Sequence, residues 1–226
     1  MDLDVRAATA VLSLLAMQAC AGAQAAPPAD PAAARDAAAV AELDALYRAR
    51  ADSARMNFTE ADVRFMTGMI GHHAQALVMS GLAPSHGAGT SVQTLAARTI
   101  NAQNDEIASM RGWLEERGQP LPEIHISGTS LMIMGTDHDM SAMPGMLSDE
   151  QMGRLDAARG EEFDRLFLTY MVQHHNGAVT MVHDLFATDG AAQGDAVFKI
   201  ASDIQVDQTT EIDRMQLMLD ALLAGR

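Results

Sequence analysis

From Asp62 onward, apolar side chains return every three or four positions, the period of an α-helix with one buried face. At about 100° per residue, Asp62, Phe65, Met66, Met69, His73 and Ala76 share one sector, with His72 and Met79 on its edge. Asp164, Phe167, Met171, His175 and Ala178 make a second such stripe, with His174 and Met181 at its margin. Thr59 followed by Asp62, and Ser148 followed by Gln151, have the spacing of a capping box, which satisfies free amides in a first helical turn. PSHGAG from Pro84 and ATDGAAQGD from Ala187 supply turns. Together these signals predict main helices at roughly 59–83, 90–117, 160–187 and 194–224. No run shows the two-residue alternation of β-branched side chains expected of a strand, so the fold class is all-α.

The two stripes belong to an internal duplication. DVRFMTGMIGHHAQALVM, from Asp62, and DRLFLTYMVQHHNGAVTM, from Asp164, share Asp, Phe, Thr, Met, both His, Ala and the final Met in register. A second pair follows: QNDEIASMRGWL from Gln103 and QTTEIDRMQLML from Gln208. Each half is therefore a helical hairpin. One hairpin cannot cover its own apolar face, so two should pack as a four-helix bundle.

Upstream, Ala7 to Met17 reads AATAVLSLLAM, too short for a permanent membrane helix but suited to a signal h-region. Cys20 follows MQA, an approximate lipoprotein context in which the cysteine would carry a membrane-anchoring lipid; AQA at Ala23–Ala25 offers soluble secretion instead. We read residues 1–20 as a signal peptide, 21–54 as an Ala/Pro-rich linker with a weak helix bearing Val40, Leu43, Leu46 and Tyr47, and 55–226 as the duplicated domain. A Met-rich connecting loop is expected at 125–147. The protein would be exported, periplasmic or lipid-anchored at the cell envelope.

Charge and composition narrow the chemistry. With 30 acidic against 15 basic residues the net charge is −15, which excludes a general nucleic-acid binder. A single Cys excludes a disulfide framework and a thiolate zinc site. Met, by contrast, occurs 17 times while aromatic residues make up only 4%.

An adjacent His pair diverges by about 100° around a helix, so one ring should face the bundle axis and the other a neighbouring helix. Gln103, Glu106 and Met110 share a face of the second helix, as do Gln208, Glu211 and Met215 on the fourth. Met stripes usually pack and bundle histidines usually hydrogen-bond. Repetition of the His-His and Met spacing in both halves, opposite Gln/Glu faces, points instead to metal binding, because packing tolerates chemical substitution. Thioether favours Cu(I) and imidazole accommodates both oxidation states, so copper is the expected ion.

SLMIMGTDHDMSAMPGMLSDEQM, from Ser130, gathers Met132, Met134, Met140, Met143, Met146 and Met152 around His138, with Asp137 and Asp139 beside it. Gly135, Pro144 and Gly145 oppose a helix there. The segment reads either as a mobile loop that captures Cu(I) or as a loop packed over a bundle end. His86, His125 and His183 lack such company and read as surface or structural residues.

The paired M(I/V)xHHxxA helices, each followed by QxxEIxxM, and the passage from MPGMLSDEQM to FDRLFLTYMVQHHNGAVTM resemble the family of domain of unknown function 305 over about residues 55–224. The resemblance implies a ferritin-like bundle exported to the envelope, in a family linked to copper binding and tolerance. It implies central positions at Met69, His72, His73 and Met79, and at Met171, His174, His175 and Met181, with Gln103, Glu106, Gln208 and Glu211 on the second helices. His138, Met140 and Met143 of the connecting segment complete the candidate ligands. Copper buffering without turnover is the first reading. A metal- or haem-dependent oxidoreductase and a non-metal interaction module of the envelope stay open, although no Glu-x-x-His, usual in di-iron bundles, occurs.

Overall fold

The computed structural model describes residues 31–135 and 142–225. The candidate ligands His138 and Met140, the candidate lipid site Cys20 and the signal segment lie outside them. The chain divides into two compact units, residues 1–46 and 47–226. The described part of the first is the exposed N-terminal portion of α1, Pro31–Arg55, where Val40, Leu43 and Leu46 are solvent-facing.

In the second unit, α2 spans Glu60–Leu82, α3 Thr90–Glu116, α5 Gly160–Ala187 and α6 Asp195–Ala224, within a residue of every predicted limit. The caps explain two of the starts. Thr59 Oγ1 accepts from Asp62 N while the Asp62 carboxylate accepts from Thr59 N, and Ser148 and Gln151 do the same for α4, Asp149–Ala157. No described helix is long and apolar enough to cross a membrane.

α2 pairs with α3, α5 with α6, and α2 lies against α5. Two apolar clusters fill the interior. One holds Phe65, Met66, Met69, Ile70, Met110, Trp113, Val182, Leu185 and Ile204. The other holds Met79, Val92, Leu95, Phe163, Phe167, Met171 and Met215. Because the start of α2 clusters with the end of α5, and the end of α2 with the start of α5, the two helices run antiparallel. His72, His73, His174 and His175 fall between the clusters, at mid-helix.

The duplicated aspartates of the stripes brace one half against the other. Asp62 Oδ1 accepts from Ala192 N, in the α5–α6 turn, at 2.7 Å. The Asp164 carboxylate accepts from Gly89 N, in the α2–α3 turn, at 3.0 and 3.1 Å. Each carboxylate thus secures the turn of the opposite hairpin, and satisfies a backbone donor that packing would otherwise strand.

The expectation of a strand-free chain, and of a loop over 125–147, needs correction. β1, Glu123–Ser127, and β2, Ser130–Met134, form an antiparallel hairpin with His125 opposite Met132. EIHIS does alternate polar residues with Ile124 and Ile126, a period overlooked because it lasts only five residues, and in SLMIM both faces are apolar, which hides it. The remaining described part of the segment is a strap. Pro144 and Gly145 cross α5 at Gly177, where a Cβ would lie 2.0 Å from Pro144 O. Gly145 has φ 77°, a left-handed conformation that glycine adopts without strain. Gln75, the partner of Gly177 in the duplication, grips the strap: its Oε1 accepts from Leu147 N at 2.7 Å and its Nε2 donates to Leu147 O at 3.0 Å.

Candidate metal centre

Each half of the duplication places its two rings differently. His72 and His174, from α2 and α5, meet across the bundle with ring centroids 3.9 Å apart. His73 and His175 turn to the partner helix of their own hairpin. His73 Nε2 lies 2.7 Å from Glu106 Oε2 of α3, off the line of its N–H, and His175 Nε2 hydrogen-bonds Glu211 Oε2 of α6 at 2.6 Å. Thr99 Oγ1 donates to the Glu211 carboxylate at 3.3 and 3.4 Å. All four rings are wholly buried, and Gln103 and Gln208 are buried with them.

The nitrogens left over are the distinctive feature. His72 Nε2 donates to Pro144 O at 2.9 Å, so the strap orients that ring from outside the helices. His73 and His175 have Nε2 against a carboxylate. In all three, Nδ1 is buried with no hydrogen-bond partner; in His174 both nitrogens are. Gln103 Nε2 and Oε1 and Gln208 Oε1 lack a hydrogen-bond partner too, and the Glu106 carboxylate makes no aligned hydrogen bond although its Oε2 is at ion-pair distance from His73. A buried polar atom without a partner costs about 1–3 kcal/mol, so such a concentration calls for an occupant. A ring held through Nε2–H presents a lone pair at Nδ1, the form in which imidazole binds a metal.

Electrostatics agree with that protonation state. Burial pushes the His72 pKa down to about 3, helped by the neighbouring His73 and His175 and opposed by the Pro144 carbonyl. Burial, then the neighbouring His72, His175 and His73, holds His174 well below 6.5, opposed only by its proximity to the His72 backbone. Both rings are therefore neutral at physiological pH. Around the rim, burial and the charges of Glu106, Asp203 and Glu211 raise the Asp207 pKa. Asp207 lines a groove between α3 and α6 together with Asp105, Glu106 and Asp203.

The described methionines among the candidate ligands separate into two groups. Met69, Met79, Met110, Met171 and Met215 are wholly buried within the apolar clusters. Met143, on the strap, and Met181, on α5, flank Gly68 one helical turn before His72; a Cβ there would meet Met143 Sδ at 3.3 Å and Met181 Cε at 3.4 Å. Both line a pocket of about 250 Å³ with Phe65 and Leu185. Among the described residues, no three His, Cys, Asp or Glu side chains are arranged to hold one ion. A metal in the histidine layer would thus draw part of its donor set from thioether or carboxamide groups. His86 is buried and structural: its ring bridges Ser85 and Asp156.

The strap, Gln75 and Thr99 went unrecognised in the sequence. Gln75 stands opposite Gly177 in the repeat, but that is one of several unmatched positions there and did not single out either residue.

The family model described as Domain of unknown function (DUF305) matches residues 62–219. No curated protein matches the chain. Among solved structures, a DUF305 fragment from Deinococcus radiodurans is 29% identical, with a TM-score of 0.60 over 73% of this chain and 98% of that one. CopM in its Cu(II)-bound form is 26% identical, with a TM-score of 0.55 over 71% and 96%. CopM in its Cu(I)-bound form is 24% identical, with a TM-score of 0.53 over 71% and 96%, a likeness of fold.

Proposed function

Because the chain belongs to the DUF305 family, whose general activity its own description leaves open, we propose that it binds and sequesters copper, with the buried histidine layer as the holding site. The observation that carries this reading is the pair of buried Nδ1 atoms left bare on His72 and His175, whose Nε2 is hydrogen-bonded to a carbonyl and to a carboxylate, beside His73 with its Nε2 at ion-pair distance from Glu106. Carboxylate-oriented imidazole is the arrangement that fixes tautomer and raises basicity in metal-ligating histidines. Likeness to a copper-bound protein at 26% identity supports the choice of ion.

Each residue then has a task. Glu211, itself held by Thr99, and Glu106 orient His175 and His73; the Pro144 carbonyl orients His72. The two apolar clusters close the layer above and below and keep water away. Met143 and Met181 offer thioethers beside the layer, and we include them with His72, His73, His174 and His175 as the donor set, Gln103 and Gln208 being the nearest carboxamides. Bound copper would supply the charge that this neutral set lacks. The signal-like N-terminal segment supports a place for this activity at the cell envelope, where thioether keeps its ligand capacity under oxidising conditions that consume thiols.

Copper content and affinity of the full chain, measured by competition with chromophoric chelators for each oxidation state, test the proposal. His174→Gln should lower affinity by at least about tenfold while circular dichroism stays helical, since one ligand is lost. A folded His72→Gln/His174→Gln protein that still binds copper like wild type would overturn it, and would favour a polar core that only staples the hairpins.

A further inference from the structure

The connecting hairpin carries a second group of soft donors, on a surface remote in kind from the buried layer. In an antiparallel pair, directly opposed residues share a face and alternate residues switch face. The register Glu123↔Met134, Ile124↔Ile133, His125↔Met132 and Ile126↔Leu131 therefore sorts the hairpin cleanly. Ile124, Ile126, Leu131 and Ile133 occupy one face, and Ile124 packs on the cluster containing Phe65 and Trp113. Glu123, His125, Met132 and Met134 occupy the other, and all four are exposed.

An outward face on a half-buried hairpin ordinarily carries charged or hydroxyl side chains. Here Met132 is 60% exposed and Met134 43% exposed, with His125 directly across from the first. We propose that this face captures a soft monovalent cation, Cu(I) or its analogue Ag(I), through His125, Met132 and Met134. The proposal rests on the reading of the protein as a copper binder, and names a site beyond the histidine layer.

Opposed residues have Cβ atoms about 4.5–5.5 Å apart and diagonal neighbours about 7–8 Å, within reach of long side chains. Met has three rotatable bonds and closes such gaps readily. Among the described residues the one charged neighbour of the His125 ring is Glu123, whose Oε2 stands 3.8 Å from Nε2, close enough for an ion pair and too far for a hydrogen bond. Glu123 adds a negative charge that attracts a cation to a donor set otherwise neutral. Two thioethers and one imidazole select a soft ion over Mg or Ca, which take oxygen ligands. Exposure makes the site fast to load and fast to release, the opposite of the enclosed layer.

Ag(I) titrated into the full chain carrying 13C-methyl methionine tests this directly. Met132 and Met134 methyl signals should shift together in wild type. A Met132→Leu/Met134→Leu protein, isosteric and exposed, should bind one equivalent fewer and keep the equivalents of the histidine layer. If ion binds while both methyls stay put, the hairpin site is wrong and the copper reading stands. If wild type takes up neither Ag(I) nor Cu(I), both fail.

Discussion

Gly177→Ala isolates the strap. Replacing a mid-helix glycine by alanine ordinarily stabilises a protein by about 1 kcal/mol. At Gly177 the new Cβ would lie 2.0 Å from Pro144 O, 2.4 Å from Pro144 C and 2.6 Å from Gly145 Cα, all backbone atoms that no rotamer change can clear. The strap must lift. Lifting it breaks the hydrogen bond from His72 Nε2 to Pro144 O and both bonds between Gln75 and Leu147. At roughly 1 kcal/mol for each bond, and more where a buried group is stranded, the loss is about 3–5 kcal/mol, leaving a net destabilisation of about 2–4 kcal/mol after the helix gain. Gly112→Ala on α3 is the control, because a Cβ there meets nothing within 4 Å; it should stabilise by about 1 kcal/mol. Urea denaturation of wild type and both variants at pH 7 reads the contrast. A Gly177→Ala protein as stable as wild type would refute the claim that the strap is pressed against α5.

Acid should destabilise the metal-free protein earlier than its carboxylates alone would. Unfolded His72 takes up its proton near pH 6.5, whereas the folded ring resists until about 3. Between those values the unfolded chain binds more protons, so stability falls as pH falls, by up to about 5 kcal/mol for this ring at 1.36 kcal/mol per pH unit. His174 acts in the same direction, while Asp164 and Asp207, whose pKa values are raised, oppose it weakly. Urea midpoints should drop from pH 7 to 4.5 and drop less in His72→Gln; equal slopes would count against buried neutral rings. Asp62→Ala should cost about 2–3 kcal/mol, because it removes the carboxylate half of the α2 capping box, leaving Thr59 N unpaired, and strands Ala192 N, while Asp164→Ala, which has no part in a capping box, should cost about 1–2 kcal/mol. Equal melting losses in the two would show that the bond from Thr59 N to the Asp62 carboxylate contributes nothing.

Helix limits, hairpin pairing and the identity of the paired histidines were legible in the residues themselves. Caps act within four positions, and apolar periodicity marks one face of one helix, so both are local. The repeat supplied the rest, because a hairpin written twice announces its own partner. Which histidine faces which neighbour was not local. Adjacent rings diverge by a known angle, yet only the antiparallel meeting of α2 with α5 sets His72 against His174 and leaves His73 and His175 to Glu106 and Glu211. The strap likewise depends on two glycines and a glutamine brought together from Gly145, Gly177 and Gln75. Residue type and spacing thus determined the elements and the chemistry available to them. Tertiary structure decided which nitrogens would be anchored and which left bare, since that depends on backbone carbonyls and carboxylates far away in the chain.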